Sequence, residues 1–194
     1  MAHTLGISGT PLRNGNTDKL VKAVMGQFPG TGKFIALRNR ELNYCRGCDR
    51  CQKTKRCVIK DGMQTLEKEL LKADVIVLGT PAYFNNVSAH MKNFMDRTNC
   101  LYQTRALSGK KMVAVAIGEA NRDSIQKALD ALGAFSRIHS LHLLGEIGVL
   151  RKGHQDLLED GLVLERIKAV CKPKPVKTRV PNPIPFIRDL DRLK

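Results

Sequence analysis

Tryptophan is absent from the 194 residues, and aromatic side chains make up only 5 % of them. Neither a recognition helix nor a sheet of base-stacking aromatics can be found, so nucleic acid is not the expected partner. No apolar run reaches the length of a membrane span. The opening Met1-Ala2-His3-Thr4-Leu5 has no basic, then long apolar, leader pattern. The expected location is therefore the cytoplasm, where the formal sequon Asn86-Val87-Ser88 would carry no glycan. Acidic residues are also scarce, 18 against 33 Lys and Arg, which leaves a net charge of +15. Such a surface attracts phosphorylated cofactors and acidic proteins as well as polyanions. Two familiar phosphate motifs are missing. No G-x-G-x-x-G follows the first strand, and in Gly30-Thr31-Gly32-Lys33 the hydroxyl residue of a P-loop is replaced by Phe34, so that stretch reads as a turn. No Ser-His-Asp set is evident, and His139 and His142 read as structural or exposed rather than as ligands.

What is present is an alternation of apolar runs and amphipathic stretches. Leu5–Ile7, Phe34–Leu37, Val75–Leu78, Met112–Ile117 and Leu143–Ile147 read as five buried strands. Between them, Leu20/Val21/Val24/Phe28, Met63/Leu66/Leu70/Leu71, Val87/Met91/Phe94/Met95/Thr98 and Ile125/Ala128/Leu129/Leu132/Phe135 fall at helical spacing, and Leu157–Val170 predicts a last helix. This order predicts an α/β fold: a doubly wound five-stranded parallel sheet, flavodoxin-like with strand order 2-1-3-4-5, in a three-layer α/β/α arrangement. Ligands of such sheets bind beyond the carboxyl ends of the strands. The expected domain is 1–171, with a cysteine-rich insertion at 42–60. Residues 172–194 hold five of the eight prolines and seven Lys or Arg, and are read as a basic, Pro-rich arm. Phe186, Ile187, Leu190 and Leu193 at its end have the spacing of a short helix that could dock on a neighbouring subunit, or of a frayed tail.

The loop Ser8-Gly9-Thr10-Pro11-Leu12-Arg13-Asn14-Gly15-Asn16-Thr17 joins the first strand to the first helix. A helix N-terminus offers free N–H groups and a positive dipole end. Ser8, Thr10, Asn14, Asn16 and Thr17 add polar side chains, Arg13 adds a forked cation, and Gly9 and Gly15 allow close backbone approach. The loop is built for a phosphate. An ordinary polar βα loop is the plain alternative.

Cys45, Cys48, Cys51 and Cys57 lie within thirteen residues, in steps of x2, x2 and x5. Thiolates at this spacing can converge on one soft metal centre. The cations Arg46, Arg50, Lys53, Lys55 and Arg56 among them favour thiolates and offset the charge of a ligated cluster. Structural zinc more often uses two separated C-x2-C pairs, so a 4Fe–4S cluster is the first reading, with zinc and unmetallated cysteines as rivals. Cys100 and Cys171 stand alone and read as small buried hydrophobes or idle thiols.

Gly6–Thr17, GISGTPLRNGNT, resembles the GxSGSPRxxGNT loop of the NADPH-dependent FMN reductase and iron–sulfur flavoprotein family. Thr80-Pro81-Ala82-Tyr83-Phe84-Asn85, followed by Met91-Lys92-Asn93-Phe94-Met95-Asp96-Arg97, is similar to its P-x-Y…LKxFxDR segment. The resemblance covers about residues 3–150. It implies that Ser8, Arg13, Asn16 and Thr17 bind the FMN phosphate and that Pro81, Ala82, Tyr83, Phe84 and Asn85 run along the isoalloxazine. The loop after the fourth strand, Gly118 to Asp123, lacks the family's glycine-rich turn, and Gly118 is its carried-over flavin contact. Asp96 and Arg97 are expected to form a structural ion pair. The resemblance also implies that Cys45, Cys48, Cys51 and Cys57 bind the cluster, and that the chain forms a homo-oligomer, dimer or tetramer, with clusters near the flavins of adjacent subunits. The function expected is an FMN-dependent oxidoreductase passing electrons between a carrier and an acceptor, with a ferredoxin-like protein or NAD(P)H as donor. One alternative is an NAD(P)H-dependent FMN or quinone reductase without a cluster. Another is a redox- or metal-sensing nucleic-acid module that uses the basic arm.

Overall fold

Strand β1 (His3–Ser8) sits between β2 (Thr31–Ala36) and β3 (Val75–Tyr83), parallel to both, with Ile7 opposite Ile35 on one side and Leu78 on the other. β5 (Lys111–Gly118) continues the sheet beyond β3, and β6 (His142–Leu150) beyond β5, again parallel. The long strands therefore run β2-β1-β3-β5-β6, the flavodoxin-like order. This computed structural model describes residues 1–151 and 157–171; the arm 172–194 and its expected helix lie outside them.

Helices cover both faces. Alternation sends Leu5, Ile7, Ile76, Leu78, Met112 and Ala114 to one side, where α3 (Met63–Lys72), α4 (Ala89–Arg97), α5 (Asn99–Thr104) and α6 (Arg122–Ile138) supply Leu66, Leu70, Met91, Phe94, Leu101, Leu132 and Phe135. Val77, Val113, Val115 and Ile147 face the other way, onto Leu20, Val21 and Val24 of α1 (Asn16–Met25) and Val163 and Ile167 of α7 (Gly161–Cys171). Burial of side chains this size stabilises by about 1.5–3 kcal/mol each. Gly6 and Gly79 let α1 lie close against the sheet, since a Cβ at either would overlap the Met25 or Val21 side chain.

The structure departs from the periodicity in four places. β2 begins at Thr31, and Leu37 belongs to a 3-10 turn rather than to the strand. Phe28 lies beyond the end of α1, which stops at the Gly26 cap. Leu71 is half exposed, on the solvent side of α3. Val87 is not helical: it pairs with Ala82 in a sixth strand, β4 (Asn86–Val87), antiparallel to the end of β3. The helix starts only after Ser88, whose Oγ accepts from the Met91 N–H at 3.2 Å. Two short helices also escape the pattern, α5 and α2 (Arg50–Thr54), the latter within the cysteine segment. Leu157–Glu159 forms a 3-10 turn that precedes α7.

Candidate functional site

Three loops meet at the carboxyl edge of the sheet. The Gly9 N–H donates to the Gly79 carbonyl at 2.8 Å, and the Ser88 hydroxyl donates to the Gly9 carbonyl at 2.6 Å. Ser88 N–H in turn donates to the Thr80 hydroxyl, whose own proton goes to the Pro81 carbonyl. The loop after β1 is thereby stitched to the loop after β3. On its other flank a Cβ on Gly118 would lie 3.3 Å from the Ala82 Cβ, so the loop after β5 closes the group.

Within the first loop, Ser8 is fully buried on the α1 side of the sheet, and its hydroxyl has no hydrogen-bond partner. A buried hydroxyl without a partner costs about 1–3 kcal/mol. The sheet neighbour of Ser8, Gly79, faces the first turn of α1, where a Cβ on Gly79 would lie 3.3 Å from the Thr17 side chain. That helix opens at Gly15, which offers no side-chain cap to the first-turn N–H groups of Asn16 and Thr17. Thr17 is buried, Asn16 half-buried and Arg13 exposed. Thr10 is buried and turned to a different use: its hydroxyl accepts from the Leu12 N–H at 3.2 Å and shapes the loop. Asn14 holds a left-handed backbone, φ 54°, which asparagine tolerates better than most residues. The unpartnered hydroxyl, the uncapped helix start and the nearby guanidinium fit a bound phosphate.

Sequence reasoning missed the residue that makes this cradle electrostatically consistent. Asp18 is buried in the first turn of α1, where its charge would oppose an anion. Arg38, from the turn after β2, meets it with Nη2–Oδ2 at 2.8 Å and Nη1–Oδ1 at 3.2 Å, and also donates to the Thr10 carbonyl at 3.3 Å. The same side chain neutralises the carboxylate and braces the loop.

The second loop is a tight hairpin. Tyr83 pairs with Asn86, and the two turn residues Phe84 and Asn85 have φ 48° and 58°. Both left-handed positions define a type I′ turn, which favours Asn and Gly. A phenylalanine there is unusual, and this one projects fully into solvent, with Tyr83 half exposed beside it. Pro81 and Ala82 lie on the strand itself.

The cysteine segment runs between the 3-10 turn (Leu37–Asn39) and α3. Gly47, Asp49 and Lys55 take left-handed backbones and turn the chain repeatedly. Cys45 and Cys48 are exposed, whereas Cys51 and Cys57 pack against the core. Burial pushes the Cys51 thiol up, and its Sγ accepts from Asn99 Nδ2 at 3.2 Å. Among the described residues no three Cys, His, Asp or Glu side chains already stand in a metal-holding arrangement. The donor set, four thiols on one tightly turned segment with two held inward, is of the kind that soft metal centres use.

Asp96 and Arg97 do not pair with each other, as the sequence had suggested. Asp96 takes Lys92 one turn back, at 2.6 Å, while Arg97 reaches Asp61, with Nη1–Oδ2 at 2.7 Å and Nη2–Oδ1 at 3.0 Å, and also donates to the Asn43 carbonyl. Adjacent helical residues point in different directions, whereas residues four apart share a face. The Asp61–Arg97 pair is buried and ties both ends of the cysteine segment to α4. Burial pushes the Asp61 carboxyl up, but hydrogen bonds from Arg97 and from the Met63 and Asn43 N–H groups outweigh it and hold the group at about 2. His139 is buried against Phe135 and Tyr102 and is structural, while His142 is half-buried in β6. Cys100 is buried and Cys171 half-buried, and burial pushes their thiols up to about 12 and about 11.

A flavodoxin-like sheet with a loop that fits a phosphate at its switch point is an architecture suited to nucleotide cofactors. Comparison with known proteins narrows the class. Residues 2–155 match the NADPH-dependent FMN reductase family. An iron–sulfur flavoprotein of Methanocaldococcus jannaschii is 36 % identical over 145 residues, spanning 73 % of this chain and 75 % of that one. One of Methanosarcina thermophila is 27 % identical over 145 residues, covering 73 % and 76 %. Among solved structures, an NAD(P)H:quinone oxidoreductase from Methanothermobacter marburgensis superposes with a TM-score of 0.63 at 13 % identity, over 88 % of this chain and 95 % of that one. The chain belongs to the NADPH-dependent FMN reductase family and is a flavin-dependent oxidoreductase. Among the described residues no helix is long and apolar enough to cross a membrane.

Proposed function

We propose that this oxidoreductase is an electron-transfer iron–sulfur flavoprotein, binding FMN at the cradle and a 4Fe–4S cluster at Cys45, Cys48, Cys51 and Cys57. The observation that carries the reading is the juxtaposition itself. Arg38, which braces the cradle, and the cysteine segment leave the sheet consecutively after β2, so both candidate sites share one carboxyl edge. Relatives named iron–sulfur flavoproteins support the second cofactor.

In this reading the FMN phosphate takes the Ser8 hydroxyl, the first-turn N–H groups of Asn16 and Thr17, and the Arg13 guanidinium. Thr10 and Asn14 shape the loop around it. Pro81 and Ala82 form a floor, Tyr83, Phe84 and Asn85 a wall, and Gly118 the opposite margin for the ring. The four thiolates supply a complete ligand set, with Arg46, Arg50, Lys53, Lys55 and Arg56 balancing their charge. FMN exchanges electrons singly or in pairs and a cluster passes them singly, so together the two groups would couple a two-electron partner to a one-electron carrier. The basic surface suits an acidic, ferredoxin-like protein donor. The chain works as a homo-oligomer, a dimer or tetramer that brings the clusters near the flavins of neighbouring subunits. Anaerobic mixing with a reduced ferredoxin should bleach the flavin, and the rate should fall with ionic strength. Flavin reduction by NAD(P)H alone, undiminished in protein stripped of iron, would favour the second reading that the family supports: an NAD(P)H-dependent FMN or quinone reductase.

A further inference from the structure

Of the contacts made to the cysteine segment from outside it, one reaches a cysteine sulfur from α5. Asn99 is the first residue of α5. Its amide is held at both ends. Gln103 Nε2, one turn on, donates to Asn99 Oδ1 at 3.4 Å, which turns the NH2 outward, and Nδ2 then donates to Cys51 Sγ at 3.2 Å. Both Cys51 and the α4–α5 junction rest on the main core, and that junction is anchored by the buried Arg97–Asp61 pair two residues earlier. The donor is therefore carried on the core-anchored α4–α5 junction, while the sulfur it meets sits on the short helix α2, between the turns of the cysteine segment.

We propose that Asn99 is a positioning residue for the metal centre, holding the Cys51 sulfur in place and donating a hydrogen bond to it as a cluster ligand. The inference rests on the reading of these cysteines as cluster ligands. An N–H directed at a ligating sulfur stabilises the more negative, reduced form of a cluster and so raises its potential. Outer groups that orient a metal ligand also strengthen the hold on the metal, typically on the order of 10- to 100-fold in affinity. Cys51 would thus be the corner at which the protein sets both the retention and the potential of the centre.

The test uses the full-length, anaerobically prepared protein with Asn99→Ala, Asn99→Ser and Gln103→Ala. Midpoint potential and the rate of iron loss to a chelator are measured beside the wild type. Asn99→Ala is expected to lower the potential and to speed iron loss on the order of 10-fold. Asn99→Ser, which keeps a donor, should recover part of both, and Gln103→Ala should move both in the same direction by less. Unchanged potential and iron retention in Asn99→Ala, with a cluster present in the wild type, would overturn the role of Asn99 and leave the cluster reading standing. A wild type that takes up no iron would overturn the cluster reading and, with it, this role. In that case alkylation at alkaline pH, where access sets the rate, still reads the contact: Asn99→Ala should speed Cys51 relative to Cys45 and Cys48, and equal rates would show that Asn99 does not hold the sulfur at all.

Discussion

Arg38 grips Asp18 through both terminal guanidinium nitrogens across twenty positions of sequence, at 2.8 and 3.2 Å. The pair is nearly solvent-free on both sides. A carboxylate buried beside a phosphate cradle is tolerable only when so neutralised, because an unpaired buried charge costs several kcal/mol. Arg38→Ala should therefore lower stability by about 3–5 kcal/mol and weaken FMN binding, read by quenching of flavin fluorescence. Arg38→Ala combined with Asp18→Asn should recover much of both. No recovery would mean that the charge of Asp18 is not what Arg38 offsets.

Ser8→Ala separates binding from folding. The hydroxyl is buried and has no partner within the protein. Its removal should leave the flavin-free protein equally or slightly more stable, since no hydrogen bond is lost. A hydrogen bond to a charged phosphate contributes about 1.5–3 kcal/mol, so FMN affinity should fall about 10-fold or more. Riboflavin, which lacks the phosphate, should bind the variant and the wild type alike. Equal loss for both flavins would place Ser8 away from the phosphate.

The Asp61–Arg97 pair should behave as structure rather than as chemistry. Removing either partner leaves a buried charge unpaired, at a cost of about 3–5 kcal/mol. Arg97→Lys keeps the charge and loses the two-pronged geometry, so it should fall between wild type and Arg97→Ala. Urea denaturation of the flavin-free protein gives the order, and Asp96→Ala, which loses only an exposed pair with Lys92, should lie within about 0.5 kcal/mol of wild type.

His139 gives a pH signature. Thr98 Oγ1 donates its proton to the Met95 carbonyl at 2.7 Å, so it accepts from His139 Nε2, 2.9 Å away, and Nδ1 is left buried without a partner. Burial pushes the imidazole down to about 4. The folded value is below the unfolded one, about 6.5, so below that pH the unfolded chain binds a proton that the folded one does not. Stability from this group is fully present above the unfolded value and declines as pH falls toward the folded one, by up to about 1.4 kcal/mol per unit. Unfolding midpoints measured across that window should show the decline, and a His139→Gln protein should show a shallower one.

Phe84 occupies a position that suits Asn or Gly. Phe84→Asn should relieve a left-handed backbone strain and raise stability by about 1 kcal/mol. It removes the aromatic at the tip of the hairpin, so flavin affinity should drop. A variant that is more stable and binds flavin as well as the wild type would show that Phe84 does not face the cofactor.

The alternation of strands and helices, from which the sheet order follows, and the candidate runs Ser8–Thr17 and Cys45–Cys57 could be located because each is local: a periodicity, a spacing or a row of donors within thirteen residues. The partners that hold them could not. Arg38 meets Asp18, Asp61 meets Arg97, and Asn99 meets Cys51 across 20, 36 and 48 positions, and only the folded sheet brings them together. The adjacent pair Asp96-Arg97 was misread because proximity in sequence does not put two helical side chains on one face. Val87 fell at helical spacing by coincidence, and the cap at Ser88, rather than the apolar pattern, marks where α4 begins.

The most direct test of the account is one absorbance spectrum of the anaerobically purified protein, taken with iron, acid-labile sulfide and flavin analysis of the same sample. FMN bands should appear over broad visible iron–sulfur absorption, with the iron and sulfide of one 4Fe–4S cluster per chain. That absorption should vanish in Cys45→Ser or Cys57→Ser while the flavin stays. A flavin spectrum with no iron or sulfide, or with zinc in their place, would contradict it.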